Sequence, residues 1–340
     1  MSIVLAIVGL GLLIVLHEGG HFVVARLCGM RVERFSIGFG PTLIGFKRGD
    51  TTFQIAPIPL GGFVQITGLN PAEEFDRSDP RVYPNRPRWM RLATILAGPA
   101  ANYLTALVLV FVMLMAYGMP SKTQRIIEPV AGRPAAAAGL QAGDVLVEAN
   151  GQPVNADRPI SEVIQAGHGA AVAIKVLRHG EPKTFQVTPD AKSGVYQVGI
   201  QIGPIDERTP VGFGTAMKEA VVYPYYQSVG ILVGLYDMVR GKVHADLSGP
   251  IGITKQIAKA ADRGAVDFLM MLSLLSVYLG LFNLLPFPAL DGGRALFLGI
   301  ESVTRKRVNP RIEAAVHTAG FVLLLGVLVI VSVKDIIGKG

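Results

Sequence analysis

The sequence predicts a polytopic α-helical membrane protein: four transmembrane helices, a membrane-associated β-hairpin and an inserted α/β domain. Three observations carry this reading. Half of the 340 residues are hydrophobic and only 17% are charged, against about a quarter charged in an ordinary water-soluble domain. Four apolar runs are long enough to cross a hydrocarbon layer of about 30 Å, which takes roughly 20 helical residues. Between the second and third runs the pattern changes to short β-prone segments separated by turn dipeptides. The same composition excludes disorder, which needs low hydrophobicity and high charge. With 32 Lys+Arg and 25 Asp+Glu the net charge is 32 − 25 = +7. Lys and Arg also gather in the cytoplasmic loops of membrane proteins, so no nucleic-acid partner follows from that balance; the expected surroundings are a lipid bilayer. The single cysteine, Cys28, excludes an internal disulfide and any multi-cysteine metal cluster, and reads as inert packing.

Taken in order, the first membrane part covers 1–121. Its first span, about 2–28, is uncharged through residue 16 and then carries His17, Glu18 and His21. A cleaved signal peptide is the competing reading, but there is no basic leader and no small-x-small cleavage site. A membrane-associated β region follows over about 32–68. Within it 51–67 is β-prone with a Pro/Gly break, which predicts a hairpin dipping into the membrane; a hairpin in a cytoplasmic loop is the other reading. The second span, about 91–119, lies in a run without charge for 30 residues, 92–121. The inserted domain, 122–207, shows strand-like runs at 145–148, 171–177, 184–187 and 197–202. Turn signals at Asn150-Gly151 and His179-Gly180 separate some of them. His168 and His179 in this domain read as solvated surface residues. A linker, 208–265, carries an interfacial helix over about 215–240 that includes Pro224. The second membrane part, 266–340, holds the third span, about 267–290, and the fourth, about 313–334, whose run 314–333 is interrupted only by His317.

Lys and Arg set the orientation. Arg31, Arg34, Lys47, Arg48, Arg77, Arg81, Arg86, Arg88 and Arg91 lie between the first two spans, and Arg305, Lys306, Arg307 and Arg311 between the last two. Both short loops are therefore expected in the cytoplasm. The termini and the inserted domain are expected on the far side, the periplasm in a Gram-negative bacterium.

The chemistry concentrates in His17-Glu18-Gly19-Gly20-His21. Four helical residues turn about 400° and rise about 6 Å, so both imidazoles share one face. Two imidazole nitrogens can grip one divalent cation, with Glu18 beside them to take a proton from water. Two histidines and a glutamate merely facing water is the bland alternative. Each ionisable group within a membrane costs on the order of 2.5–3.5 kcal/mol, and a bound cation compensates three of them in five residues. A catalytic zinc usually has a third protein ligand. Asp291, in Asn283-Leu-Leu-Pro286-Phe-Pro288-Ala-Leu290-Asp291-Gly292-Gly293, is the best candidate. An ordinary helix-ending Asp-Gly turn at the membrane surface explains it equally well. Depth favours the ligand reading: His17 is about 22 Å along a helix entering from outside, and Asp291 about 34 Å or less along the third span, so both fall in the cytoplasmic-side layer. Two histidines and a carboxylate suit non-haem iron as well as zinc. His244 and His317 read as structural rather than as ligands.

The motifs resemble those of two families. The stretch Pro134-Ala-Ala-Ala-Ala-Gly139-Leu140-Gln-Ala-Gly143-Asp144-Val-Leu-Val-Glu-Ala-Asn150-Gly151 is similar to PDZ domains of bacterial envelope proteases. This resemblance makes the insert an α/β PDZ domain binding an extended peptide, with Gly139, Leu140 and Gly143 as candidate peptide-binding loop residues. The whole chain resembles the site-2 proteases, intramembrane zinc metalloproteases, of the bacterial PDZ-containing regulator-of-sigma-E-protease type. The matching stretches are His17-Glu18-x-x-His21-Phe22, Phe35-x-Ile-Gly-Phe-Gly-Pro41, Pro59-Leu-Gly-Gly62-Phe63-Val, Ala97-Gly98-Pro99-x-x-Asn102, Ser248-Gly-Pro-Ile-Gly252 and Asn283…Leu290-Asp291-Gly292.

The second resemblance implies one Zn2+ held by His17, His21 and Asp291, with Glu18 as catalytic base for attack by a water on the metal. It implies Asn283 and Asn102 as polar groups holding substrate backbone or an oxyanion. It also implies cleavage of single-span substrates, such as an anti-sigma factor or a signal-peptide-like segment, in the bacterial inner membrane. The PDZ domain would then be periplasmic and the site towards the cytoplasm. Gly19 departs from the bulkier residue usual at that position, and close packing is expected there. A catalytically inactive PDZ-bearing scaffold and an ion-coupled transporter are the alternatives, and neither needs Glu18 beside two ligands.

Overall fold

The computed structural model describes residues 1–340 apart from 71–72, 77, 193–194, 206, 243–248 and 338–340. Arg77, His244 and Ser248 lie outside the described residues. The chain divides into two compact units, Met1–Met113 with Gly212–Gly340, and Leu114–Val211.

Helix α1 (Ser2–Leu27) buries Ala6, Gly9, Leu13, His17 and Ala25 along one stripe and leaves Val4, Val8, Leu12 and Val23 exposed. A helix apolar on its outward face needs an apolar solvent. Four strands follow: β1 (Val32–Phe39), β2 (Ile44–Arg48), β3 (Thr51–Ile55) and β4 (Ile58–Ile66), in the order β2-β3-β1-β4. Strands β2 and β3 form an antiparallel hairpin, β3 runs parallel to β1, and β4 runs antiparallel to β1.

The hairpin expected over 51–67 is therefore corrected. Both halves are strands, but β1 lies between them. Ala56 N–H donates to Ile37 O at 2.8 Å, and Pro57 has no N–H to start a return along β3. The chain instead crosses the end of β1 at Gly38, whose φ is +88° and where a Cβ would sit 2.7 Å from Ala56 O. This leaves β4 as an edge strand against α1. Phe22 of α1 meets Phe35 and Phe53 edge-on, each at 5.5 Å, seating the sheet on the helix. Helix α2 (Arg88–Tyr117) follows, with Pro99 inside it.

The second unit contains β5 (Met119–Pro120), β6 (Gln124–Pro129), α3 (Pro134–Ala137), β7 (Val145–Ala149), β8 (Gln152–Pro153), α4 (Ile160–Ala166), β9 (Val172–Arg178), β10 (Glu181–Val187), β11 (Asp190–Lys192), β12 (Val195–Gln197), β13 (Ile200–Pro204) and β14 (Arg208–Thr209). Its main sheet runs β10-β9-β7-β6-β13, with β8 on β7. Asn150-Gly151 and His179-Gly180 turn the β7–β8 and β9–β10 hairpins, all four residues at positive φ, as tight hairpin turns require. The core includes Ile126, Leu140, Leu146, Ile164, Val172, Ile174 and Val176.

Back in the first unit, α5 (Phe213–Val239) is one helix of 27 residues with Pro224 inside it. Helix α6 (Pro250–Arg263) buries Ile257, Ala258 and Ala260. Its Gly252 N–H, a first-turn donor without a helical partner, donates to Asp335 at 2.8 Å. Helix α7 (Ala265–Leu284) stops six residues short of the expected end, because Pro286 and Pro288 carry no N–H and bar helix. Where a loop was expected, Asp291 opens a further helix, α8 (Asp291–Thr304). Helix α9 (Pro310–Ile337) closes the chain. By length and apolarity α1, α2, α7 and α9 can each cross a membrane.

Candidate metal centre

Helix α1 carries His17, Glu18 and His21, and α2 runs antiparallel beside it. On α2, Thr94, Gly98 and Asn102 recur every four residues and so share one face. Each serves the histidine pair. Thr94 O accepts from His21 Nδ1 at 2.8 Å. That bond fixes the proton on Nδ1 and leaves the Nε2 lone pair available. Asn102 lies 2.9 Å from His17 Nδ1 and is fully buried. With its Nδ2 turned to the ring, Asn102 Oδ1 is buried without a partner among the described residues. A half-turn of the amide lets His17 Nδ1–H donate to Oδ1, which removes the orphan oxygen and frees His17 Nε2 as well. Gly98 makes room: a Cβ there would lie 2.2 Å from His21 Nε2 and 2.8 Å from His17 Cε1.

The third member arrives from the other end of the chain. Asp291 Oδ2 lies 3.2 Å from His17 Nε2 and 3.2 Å from His21 Nε2, and the two Nε2 atoms are 3.3 Å apart. Tetrahedral ligands with bonds of about 2.0–2.1 Å stand about 3.3 Å from one another. The three donor atoms thus fit a zinc ion with one position left open, and both imidazoles already have the outer partners that ligating histidines require. Asp291 is brought in by the glycines that follow it. A Cβ on Gly292 would strike Leu285 O at 2.1 Å, and one on Gly293 would strike Phe287 O at 2.4 Å. From the same helix, Glu301 accepts two bonds from Arg91 of α2, at 2.9 and 3.0 Å, which aligns α8 with the histidine-bearing pair.

Glu18 sits where α1 meets β4. Gly62 brings the strand close, its Cβ position 3.5 Å from Glu18 Cγ, and the Val64 N–H faces the carboxylate. His17, Glu18, His21 and Asp291 line one cavity of about 280 Å³ together with Phe63, Val64 and Asn283. Asn283 donates Nδ2 to Leu279 O at 2.9 Å and keeps its second amide hydrogen. Asn102, by contrast, is not among the residues lining this cavity and contacts His17 instead. The packing expected at Gly19 is also displaced by one residue. A Cβ on Gly19 meets nothing within 4 Å, whereas one on Gly20 would lie 2.3 Å from Ala97 O. The tight α1–α2 approach is at Gly20 and Gly98.

In the second unit, a groove of about 490 Å³ runs beside the edge strand β13, lined by Arg133, Ile160, Ile164, Tyr196, Val198 and Ile200 among others. Gly139, Leu140 and Gly143 do not line it. Leu140 is in the core, and the two glycines adopt φ of +88° and +89°. Arg178 donates to Gly139 O at 2.8 Å and, through two nitrogens, to both Asp144 oxygens at 2.7 Å. Their pattern in sequence encodes a fastened turn. Thr94 and Val64 act through the backbone and leave no side-chain signal.

The model of peptidase family M50 matches residues 5–327. A protein of Clostridium acetobutylicum carrying the name zinc metalloprotease is 34% identical over 342 residues, covering 99% of this chain and 97% of its own length. One of Nostoc with that name is 33% identical over 352 residues, 98% of this chain and 96% of its own. The zinc metalloprotease RasP of Geobacillus kaustophilus is 30% identical over 420 residues, 98% of this chain and 97% of its own.

Proposed function

Because the chain belongs to peptidase family M50 and is a membrane-integral zinc metalloendopeptidase, we propose that it cuts transmembrane segments of single-span proteins within the bilayer. His17, His21 and Asp291 are the zinc ligands and Glu18 is the general base. The observation that carries this is the meeting of His17, His21 and Asp291 in one cavity with Glu18, about 22 Å along a helix of membrane-spanning length.

Zinc held there supplies a Lewis acid that acidifies water and polarises a carbonyl. Glu18 takes the proton of the attacking water at its carboxylate and delivers it to the leaving amide nitrogen. Thr94 and Asn102 keep both imidazoles turned with Nε2 inward. Asn283 holds the substrate backbone or the developing oxyanion with its remaining N–H. A substrate helix hides its peptide bonds in its own hydrogen bonds and must unwind first. The edge strand β4, whose Phe63 and Val64 wall the cavity, receives the extended peptide as an added strand.

The groove beside β13 and α4 supports a PDZ reading of the second unit, with an extended peptide laid along β13. The basic residues of 31–91 and 305–311 support a cytoplasmic placement of the metal-site end, in the inner membrane of a bacterium. The second unit would then be periplasmic. Anti-sigma factors are the substrate class this arrangement fits.

The test is zinc-dependent cleavage of a model single-span substrate by the full chain in detergent. Glu18→Gln abolishes cutting and leaves zinc content nearly normal, and Asp291→Asn lowers both. Undiminished cutting by the Glu18→Gln protein overturns the assignment.

A further inference from the structure

The segment 286–290, which delivers Asp291, has little to hold it. Pro286 and Pro288 have no N–H. Phe287 donates to Leu285 O just before the segment at 2.7 Å, and Leu290 donates within it to Phe287 O at 3.2 Å. Ala289, a residue with a side chain at φ +73°, holds a left-handed conformation that disfavours any residue with a Cβ and persists only where its surroundings impose it. Its N–H donates to His317 Nδ1 of α9 at 3.0 Å. Among the described residues this is the segment's one backbone N–H bond to a group outside the loop and its flanking turns. One turn further along α9, Gly320 receives Pro288, whose Cβ would lie 2.4 Å from an added Cβ. His317 and Gly320, at i and i+3, present one face of α9 to the strained segment.

We infer that His317 is a positioning residue of the metal centre: through the Ala289 N–H it fixes the strained segment so that Asp291 meets the histidine pair. This rests on the reading of Asp291 as a ligand. Accepting a hydrogen bond at Nδ1 places the imidazole proton on Nε2, which is buried without a hydrogen-bond partner among the described residues; the ring itself packs against Phe297, 5.5 Å between centroids. The ring therefore works as an acceptor towards Ala289. A side chain of similar size without an acceptor at the Nδ1 position would fill the space and release the segment.

The test uses the full chain in detergent and three substitutions. His317→Leu removes the acceptor, His317→Asn keeps one near the Nδ1 position, and His317→Gln puts it one bond further out. Zinc affinity is read by chelator competition, the ligand field by the visible spectrum of the cobalt(II) protein, and folding by thermal melting. Outer partners of metal ligands typically contribute 10–100-fold in affinity. The expected result is about tenfold weaker zinc binding and an altered cobalt spectrum for His317→Leu and His317→Gln, recovery to within about threefold for His317→Asn, and a fall in kcat with little change in KM. Wild-type zinc affinity and cobalt spectrum in His317→Leu overturn the inference. If that protein does not fold, equal zinc affinity of the Asn and Gln variants overturns it. Asp291→Asn is the control: if it binds zinc normally the ligand reading itself fails, whereas if it loses zinc and His317→Leu does not, only the inference fails.

Discussion

At the scale of residues, the centre depends on the side chain that Gly98 lacks. Gly98 has no alternative, since any Cβ there occupies the space of both imidazoles. Gly98→Ala is expected to lose zinc in chelator competition while the helices remain, seen as unchanged far-ultraviolet circular dichroism. Gly19 is the contrasting case, with open space around its Cβ position. Gly19→Ala removes a helix-destabilising residue and raises stability by up to about 1 kcal/mol, with zinc content and cleavage rate within twofold of wild type; a lost centre would show that the cavity needs that space. Asn102→Ala leaves the His17 Nδ1–H without its acceptor and should weaken zinc 10–100-fold, read by the same competition. His-Glu-x-x-His was legible because spacing of four residues puts two side chains on one helical face. The Thr94 carbonyl, the Val64 amide and His317 Nδ1 were not. Two are backbone groups that every residue has, and the third acts on a residue 28 positions away.

At the scale of elements, sheet order and groove were the least legible features. Residues 51–67 carry strand composition, but nothing local states that β1 lies between the two halves. That pairing is set by a Pro-containing crossover and a glycine at the end of another strand. In the second unit the glycine-rich turn was legible and its role was not, because a fastened turn and a ligand loop use the same residues. Asp144 shows what the turn does. Burial opposes its charge, but the Arg178 pair and the Gln141 N–H at 2.9 Å outweigh that and hold its carboxyl below the ordinary range. A carboxyl depressed in the folded state contributes stability that is present above its unfolded value and is lost as pH falls through the folded one. Stability of this unit should therefore fall as pH drops below about 4. Asp144→Asn should cost about 1.5–3 kcal/mol at neutral pH and flatten the acid dependence. Calorimetry of the full chain at several pH values reads both. An acid dependence unchanged by Asp144→Asn would show that another group governs it.

At the scale of the molecule, the centre joins parts of the chain 270 residues apart, and each part alone is incomplete. Helix α1 brings two imidazoles and a carboxylate into an apolar span, where unpaired ionisable groups are costly. Asp291 adds a second carboxylate at the same place. A cation held by His17, His21 and Asp291, as proposed, would lower that cost and close the loop between the first and last parts of the membrane unit. Zinc should therefore contribute to stability as well as to chemistry. A ligand that binds only the folded state stabilises it by about 4 kcal/mol when its free concentration is a thousand times its dissociation constant. Stripping the full chain with a chelator should lower its melting temperature by several degrees, and zinc should restore it. The variants separate this from a general effect of the chelator. His17→Ala and Asp291→Ala, each lacking a proposed ligand, should melt at nearly the same temperature with and without chelator. Glu18→Gln, which keeps all three proposed ligands, should respond as the wild type does. A chelator response in the ligand-deficient proteins equal to wild type would mean that the stabilising ion sits elsewhere and that α1 and the Asp291 segment are held together by packing alone.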